Sequence, residues 1–204
     1  MPMCEPIEVP SFQKARGNAT TMLHCRMLGY LKDDDRVLDS TYGSGSFWSK
    51  YRPALLATND LDPGSAAEMH HDFRTLAQLL PVKFEVVVFD PPYKLNGTPS
   101  GPMDYRYGVG ISARWQDRMA LCEQGIVALA PLASRHLFIK CMDQVVSGQV
   151  RWQSRIFADV AEAQGFVLED MLLVPSGRPQ PTGRTQKHSR RNYSNLLVLR
   201  RTQP

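Results

Sequence analysis

Residues 84–93, Phe-Glu-Val-Val-Val-Phe-Asp-Pro-Pro-Tyr, constrain the fold more than any other stretch of the chain. Val86, Val87, Val88 and Phe89 leave no polar face, so Phe84–Phe89 is predicted to be a strand covered on both sides. Asp90 falls where that strand leaves its sheet, and Pro91 and Pro92 fix φ and cannot continue a ladder. The expected result is a stiff elbow that presents Asp90, the neighbouring carbonyls and the Tyr93 ring at the carboxyl edge of a sheet. Open α/β sheets hold their ligands at that edge.

About fifty residues upstream runs Val37-Leu-Asp-Ser-Thr-Tyr-Gly-Ser-Gly-Ser-Phe-Trp48, a strand followed by a glycine loop. Gly43 and Gly45 permit positive φ and close approach of a ligand to the backbone. A glycine loop by itself is equally an ordinary turn. Followed by Asp-Pro-Pro-Tyr after an intervening strand, it resembles motif I, and Asp90–Tyr93 motif IV, of the S-adenosylmethionine-dependent amino-methyltransferases, the DNA adenine-N6 and cytosine-N4 methylases. The resemblance runs through residues 36–93 and on toward the C-terminus. There, Gln186–Arg200 is similar to the closing segment of phage and bacterial DNA methylases of this type.

The remaining pattern agrees with an α/β fold. Helices are predicted over Asn18–Tyr30, Pro63–His70, Leu76–Leu80, Trp115–Leu132 and Trp152–Gln164, with a short one after the glycine loop. Strands are predicted over Arg36–Asp39, Ala54–Asn59, Phe84–Phe89, His136–Met142, Phe166–Val174 and Tyr193–Leu199, and a short third strand or turn precedes Asp72. This alternation means a mostly parallel sheet. The resemblance implies one Rossmann-like, seven-stranded methyltransferase domain over residues 1–204, closed by an antiparallel C-terminal hairpin. A chain of 204 residues holds one such domain and little more. No dedicated target-recognition domain is then expected, so recognition falls to the glycine- and proline-punctuated loops 94–112 and 175–191, to a homodimer partner or an accessory specificity subunit, or is relaxed.

Other classes are disfavoured. No run approaches the ~18 apolar residues of a membrane span, and the N-terminus lacks the basic region and apolar core of a signal peptide. A cytoplasmic protein is therefore expected. Cys4, Cys25, Cys122 and Cys141 show no close pairing, so no metal is expected and buried thiols are the plainer reading.

The resemblance implies S-adenosylmethionine as cofactor and distributes roles. Tyr42, Gly43 and Gly45 would lie against its methionine and ribose portion, and Asp39 would serve the amino acid end or brace the loop. Asp60 would accept from both ribose hydroxyls; Asp62 is the second choice because Asp60 directly follows the strand. Asp72 and Phe73 resemble the motif that meets the adenine ring. The region Lys14–His24 would close the pocket. Each of these acids also reads as a turn residue or helix cap.

Asp90, Pro91, Pro92 and Tyr93 would handle the acceptor. An exocyclic amino nitrogen is a poor nucleophile because its lone pair is delocalised. Bonds from its N–H groups to Asp90 and a proline carbonyl would favour a pyramidal nitrogen, and Tyr93 would stack on the base. In the family, Asp-Pro-Pro-Tyr is usual for adenine N6 in DNA. Ribosomal guanine-N2 methylases also use Asp-Pro-Pro, so RNA (adenine N6 or guanine N2) is the alternative. Two further readings stay open behind it: a catalytically inactive nucleic-acid-binding relative, disfavoured by the intact glycines and Asp90–Tyr93, and a protein-glutamine methylase, disfavoured by Asp at position 90. From Pro175 onward the chain is basic with no acid, and Arg178, Arg184, Lys187, Arg190 and Arg191 are the expected phosphate contacts.

Overall fold

The computed structural model describes residues 17–95, 114–175, 188–189 and 191–202. The element order is α1 (Asn18–Met27), β1 (Arg36–Asp39), β2 (Leu55–Thr58), α2 (Leu76–Leu79), β3 (Phe84–Phe89), α3 (Trp115–Leu129), β4 (Ala133–Cys141), β5 (Gln144–Val146), β6 (Gln149–Arg151), α4 (Gln153–Glu162), β7 (Phe166–Pro175) and β8 (Tyr193–Arg201). Six strands form one sheet in the order β2-β1-β3-β4-β8-β7. The first four are mutually parallel, and β8 lies antiparallel between β4 and β7. The C-terminal antiparallel hairpin is as expected.

The all-apolar run of β3 follows from burial on both faces. Val87 and Phe89 join the cluster under α3 and α4, with Leu137, Ile139, Leu197 and Leu199. Val86 and Val88 face the opposite way, into the cluster of Met22, Cys25, Phe47, Trp48 and Phe138 beneath α1. Residue parity along a strand thus feeds two cores.

Three expectations differ. The main sheet has six strands among the described residues, not seven. Where the extra strand was expected there is a single parallel bridge, Asn59 with Met69, outside β2. Residues 63–70 are turns rather than a helix, because side chains capture the backbone there. Asp62 Oδ1 accepts from the Gly64 N–H at 2.9 Å, and Thr58 Oγ1 accepts from the Glu68 N–H at 2.9 Å. The Asn59 amide takes both the N–H and the carbonyl of His71, at 3.0 Å each, so a side chain continues the pairing a strand would have made. The third difference is β5–β6, a two-stranded hairpin absent from the predicted order. Among the described residues no helix is long and apolar enough to cross a membrane.

Candidate active site

The carboxyl ends of β2, β1 and β3 carry Asp60, Asp39 and Asp90 on three adjacent strands. Asp39 is fully buried. Its Oδ2 accepts from the Trp48 indole N–H at 2.6 Å and its Oδ1 from the Thr41 N–H at 3.1 Å. It therefore braces both sides of the glycine loop. Burial pushes its carboxyl up to about 7 against those two hydrogen bonds, and the charges of Asp90 and Asp60 push the same way as burial.

Gly43 and Gly45 both adopt positive φ, 58° and 70°. At Gly45 a β-carbon would stand 2.6 Å from the Tyr42 hydroxyl oxygen, so the glycine is required by space as well as by backbone. Tyr42 is half-buried, its hydroxyl accepting from Arg52 at 3.2 Å. The Gly43 N–H donates to Asp60 Oδ2 at 2.6 Å, and the Asp62 N–H to Asp60 Oδ1 at 2.8 Å. Asp60 is buried and tied to the glycine loop, whereas Asp62 serves its own turn. A carboxylate has about four lone-pair sites, so two remain on Asp60.

Register explains the next feature. β3 and β4 are parallel with Phe89 opposite Ile139, so Asp90 and Lys140 come side by side one step further on. Lys140 Nζ donates to Asp90 Oδ2 at 3.3 Å and lies over the rings of Phe47 and Tyr93, 5.4 and 5.5 Å from their centroids. Burial raises the Asp90 carboxyl while Lys140 opposes the rise. Burial works against the ammonium, but Asp90 and Tyr93 outweigh it and hold its pKa above the ordinary lysine value. Lys140 was missed in the sequence. Its signal was a lone cation near the carboxyl end of an otherwise apolar strand, His-Leu-Phe-Ile-Lys-Cys.

The elbow is fixed from three directions. The Asp90 N–H donates to Thr41 Oγ1 at 2.7 Å, linking it to the glycine loop. The Tyr93 N–H donates to the Pro91 carbonyl at 2.7 Å. The Tyr93 carbonyl accepts from Gln144 at 2.7 Å and from the buried Gln153 at 2.8 Å.

Asp72 and Phe73 stand differently. Asp72 caps the short helical turn Phe73–Thr75 and forks onto Arg74, which holds its carboxyl below the usual range. Phe73 packs edge-on to Phe89, centroids 5.0 Å apart, inside the core. His24 is buried on α1, and its Nε2 has no hydrogen-bond partner among the described residues. Arg191 lies over the Trp152 ring at 4.5 Å. Arg178, Arg184, Lys187, Arg190, most of both predicted loops, and Lys14 lie outside the described residues. Cys25, Cys122 and Cys141 are buried free thiols, and burial drives each thiol upward, Cys25 and Cys122 to about 12.

No protein-family model matches this sequence, and no curated protein matches it. Solved structures do. A magnesium protoporphyrin IX methyltransferase from Synechocystis PCC 6803, solved with bound SAH, matches at TM-score 0.56 and 15% identity over 97% of this chain and 90% of that one. TrmN from Thermus thermophilus matches at 0.54 and 15% identity, over 94% of this chain and 52% of that one. The N-methyltransferase NodS from Bradyrhizobium japonicum WM9 matches at 0.54 and 12% identity, over 90% and 94%. These likenesses show the fold: this chain shares the mixed α/β architecture of methyltransferases.

Proposed function

We propose that this chain is an S-adenosylmethionine-dependent methyltransferase acting on an exocyclic amino group of a nucleobase, adenine N6 in DNA. The observation that carries the reading is the Asp90–Tyr93 elbow bonded through Thr41 to a glycine loop that two further buried carboxylates brace. Three acids on adjacent strand ends, one of them raised to about 7 by burial and by the other two, suit a cationic ligand. The cofactor would supply an electrophilic methyl on a sulfonium and a charged amino acid end. Asp60 would take its ribose hydroxyls, the Gly43–Gly45 backbone its close approach, and Asp39 its positive charge. Asp90, Pro91, Pro92 and Tyr93 would then act on the acceptor.

Asp90 would accept from the amine N–H, orienting the nitrogen lone pair and opposing the positive charge that develops on nitrogen. Tyr93 stacks on the base, which in a duplex must leave the helix stack. Lys140 opposes the upward push of burial on the Asp90 carboxyl and so favours its ionised, accepting form. Counting tritium transferred from labelled cofactor to DNA, RNA and protein in parallel tests the reading. N6-methyladenine in DNA is the expected product. N2-methylguanine or N6-methyladenine in RNA would move the substrate to RNA, and transfer to none of the three would overturn it.

A further inference from the structure

The β5–β6 hairpin projects from the sheet edge that carries the elbow, and the methyl-transfer reading leaves it without a role. Gln144 opens the hairpin and donates to the Tyr93 carbonyl; its Oε1 also accepts from the Leu95 N–H at 3.1 Å. Gln153, two residues past the hairpin, donates to the same carbonyl. The hairpin is thus stapled to the elbow at both of its ends. Its two-residue turn is Ser147-Gly148, both at positive φ, 51° and 75°, a turn whose twist matches the flanking strands. Val146 is buried beneath it, and the His188 ring meets the Gly148 carbonyl at 2.7 Å.

Two arginine–indole stacks flank this hairpin. The Arg151 guanidinium lies 4.1 Å from the Trp115 ring centroid, and that of Arg191 lies 4.5 Å from Trp152, which is 48% exposed. Arg26, Arg36, Arg74 and Arg200 each face a carboxylate. Among the described residues Arg151 and Arg191 face none, and the buried Nε of Arg151 has no acceptor. From Gln144 to Arg155 the chain has two arginines and no acid. A guanidinium laid on an indole keeps in-plane N–H donors free for an anion.

We propose that this hairpin grips a single nucleic-acid strand beside the target base, with Trp152 as a stacking platform and Arg151 and Arg191 on phosphates. The proposal rests on the nucleobase-methylating reading and adds the surface that holds the strand. One exposed indole, Trp152, set between two guanidiniums that face no carboxylate among the described residues matches an unstacked base between phosphates. Of the two, Arg191 donates to the Ser189 carbonyl at 3.3 Å, and Trp115 beneath Arg151 is half-buried. An acidic peptide would use the arginines and leave the indoles idle. Duplex DNA away from the flipped base offers no open ring face.

Anisotropy of a labelled single-stranded DNA oligonucleotide on the full chain, over a salt series, tests it, with an RNA of the same sequence as second probe to separate the two sources of the strand. Trp152→Ala is expected to weaken binding about tenfold, and Trp152→Tyr to retain most of the affinity. The double variant Arg151→Gln/Arg191→Gln should flatten the log–log salt slope by about 0.7 per lost contact. Cofactor affinity by calorimetry should be unchanged in all three variants, which separates a lost surface from a lost fold. Wild-type DNA and RNA affinity in both Trp152→Ala and the arginine double variant overturns the hairpin assignment, even where the wild type methylates nucleic acid. Displacement of the oligonucleotide by poly-glutamate as readily as by unlabelled DNA overturns it too. Loss of binding in those variants with no methyl transfer by the wild type upholds the hairpin and fails the methylation reading instead.

Discussion

Asp90 and Lys140 form a buried ion pair whose two members answer to different demands. Burial pushes the Asp90 carboxyl up, and the Lys140 ammonium opposes that rise, favouring the form that accepts a hydrogen bond. Asp90→Ala should abolish methyl transfer and spare cofactor affinity, read by tritium transfer and calorimetry. Lys140→Met should instead leave transfer measurable but shift the acid limb of its pH–rate profile upward by about one pH unit or more. An acid limb at the wild-type pH in Lys140→Met would remove Lys140 from the site's electrostatics. Asp39 makes a second prediction at this scale. Its folded value, about 7, stands above the unfolded carboxylate value of 3.8. The folded state therefore holds the proton more tightly, and the associated stability is present at low pH and lost as pH rises through 7. The loss is on the order of 4 kcal/mol for a fully buried group. His24 and His136, both lowered chiefly by burial, act in the opposite sense just below neutrality. The readout is accordingly a difference. Between pH 5 and 8 the unliganded wild type should lose more thermal stability than Asp39→Asn does, and parallel melting curves would sink the assignment. A cationic cofactor favours ionised Asp39, so its binding near neutral pH should release protons.

At the scale of elements, α3 approaches the sheet through a glycine. A β-carbon on Gly125 would stand 2.5 Å from Phe89 Cζ and 2.7 Å from Phe73 Cε2. In an open helix, Gly→Ala would gain up to about 1 kcal/mol from propensity. Overpacking a filled core costs typically 1–3 kcal/mol, and both rings here are buried and cannot swing aside. Gly125→Ala is therefore expected to destabilise, by a net ~1 kcal/mol or more in urea unfolding. Because Phe89 directly precedes Asp90, transfer activity should fall further than cofactor affinity. The glycine loop depends on a different constraint. Gly45→Val combines positive φ with a clash against the Tyr42 hydroxyl and should remove cofactor binding while the sheet persists, checked by calorimetry beside far-ultraviolet circular dichroism.

For the molecule as a whole, the cofactor and the proposed nucleic-acid substrate would act through linkage and charge. A ligand present at a hundred times its Kd stabilises by about 2.7 kcal/mol. At this chain length that corresponds to a Tm rise of very roughly 5–10 °C with S-adenosylmethionine. The rise should be absent in Gly45→Val. The chain's formal net charge is only +4, yet from Pro175 to the end it has seven Lys and Arg and no acid. Three of those seven are among the described residues, where Arg191 stacks on Trp152 and the other two are held by the sheet. Arg200 pairs with Glu169, and Arg201 donates to the Ala130 and Ala133 carbonyls. Neutralising Arg200 should cost stability and leave the salt slope of DNA binding as it was. Neutralising Arg190 and Arg191 together should lower the slope by roughly one per lost phosphate contact.

What the sequence determined by itself is what short-range chemistry dictates. The apolar run of β3 could only be a strand buried on both faces, prolines had to end it after Asp90, and Gly43 and Gly45 permitted the positive φ that both adopt. The alternation of elements was enough for a mostly parallel sheet, the resemblance added its antiparallel end, and β1 falls on the predicted residues, Arg36–Asp39. The β5–β6 hairpin was not read from the sequence, because three-residue strands give no periodic signal and its Ser147-Gly148 turn stands alone as a cue. Tertiary structure alone decided the rest. Helical spacing over 63–70 lost to side chains of Asp62, Thr58 and Asn59 that capture backbone only once β2 is in place. Lys140 meets Asp90 through inter-strand register, across fifty residues of sequence. Phe73, expected against a cofactor ring, is drawn into the core by the space Gly125 leaves. Backbone preference is encoded residue by residue, whereas register, burial and the pairing of charges exist only after distant strands have met.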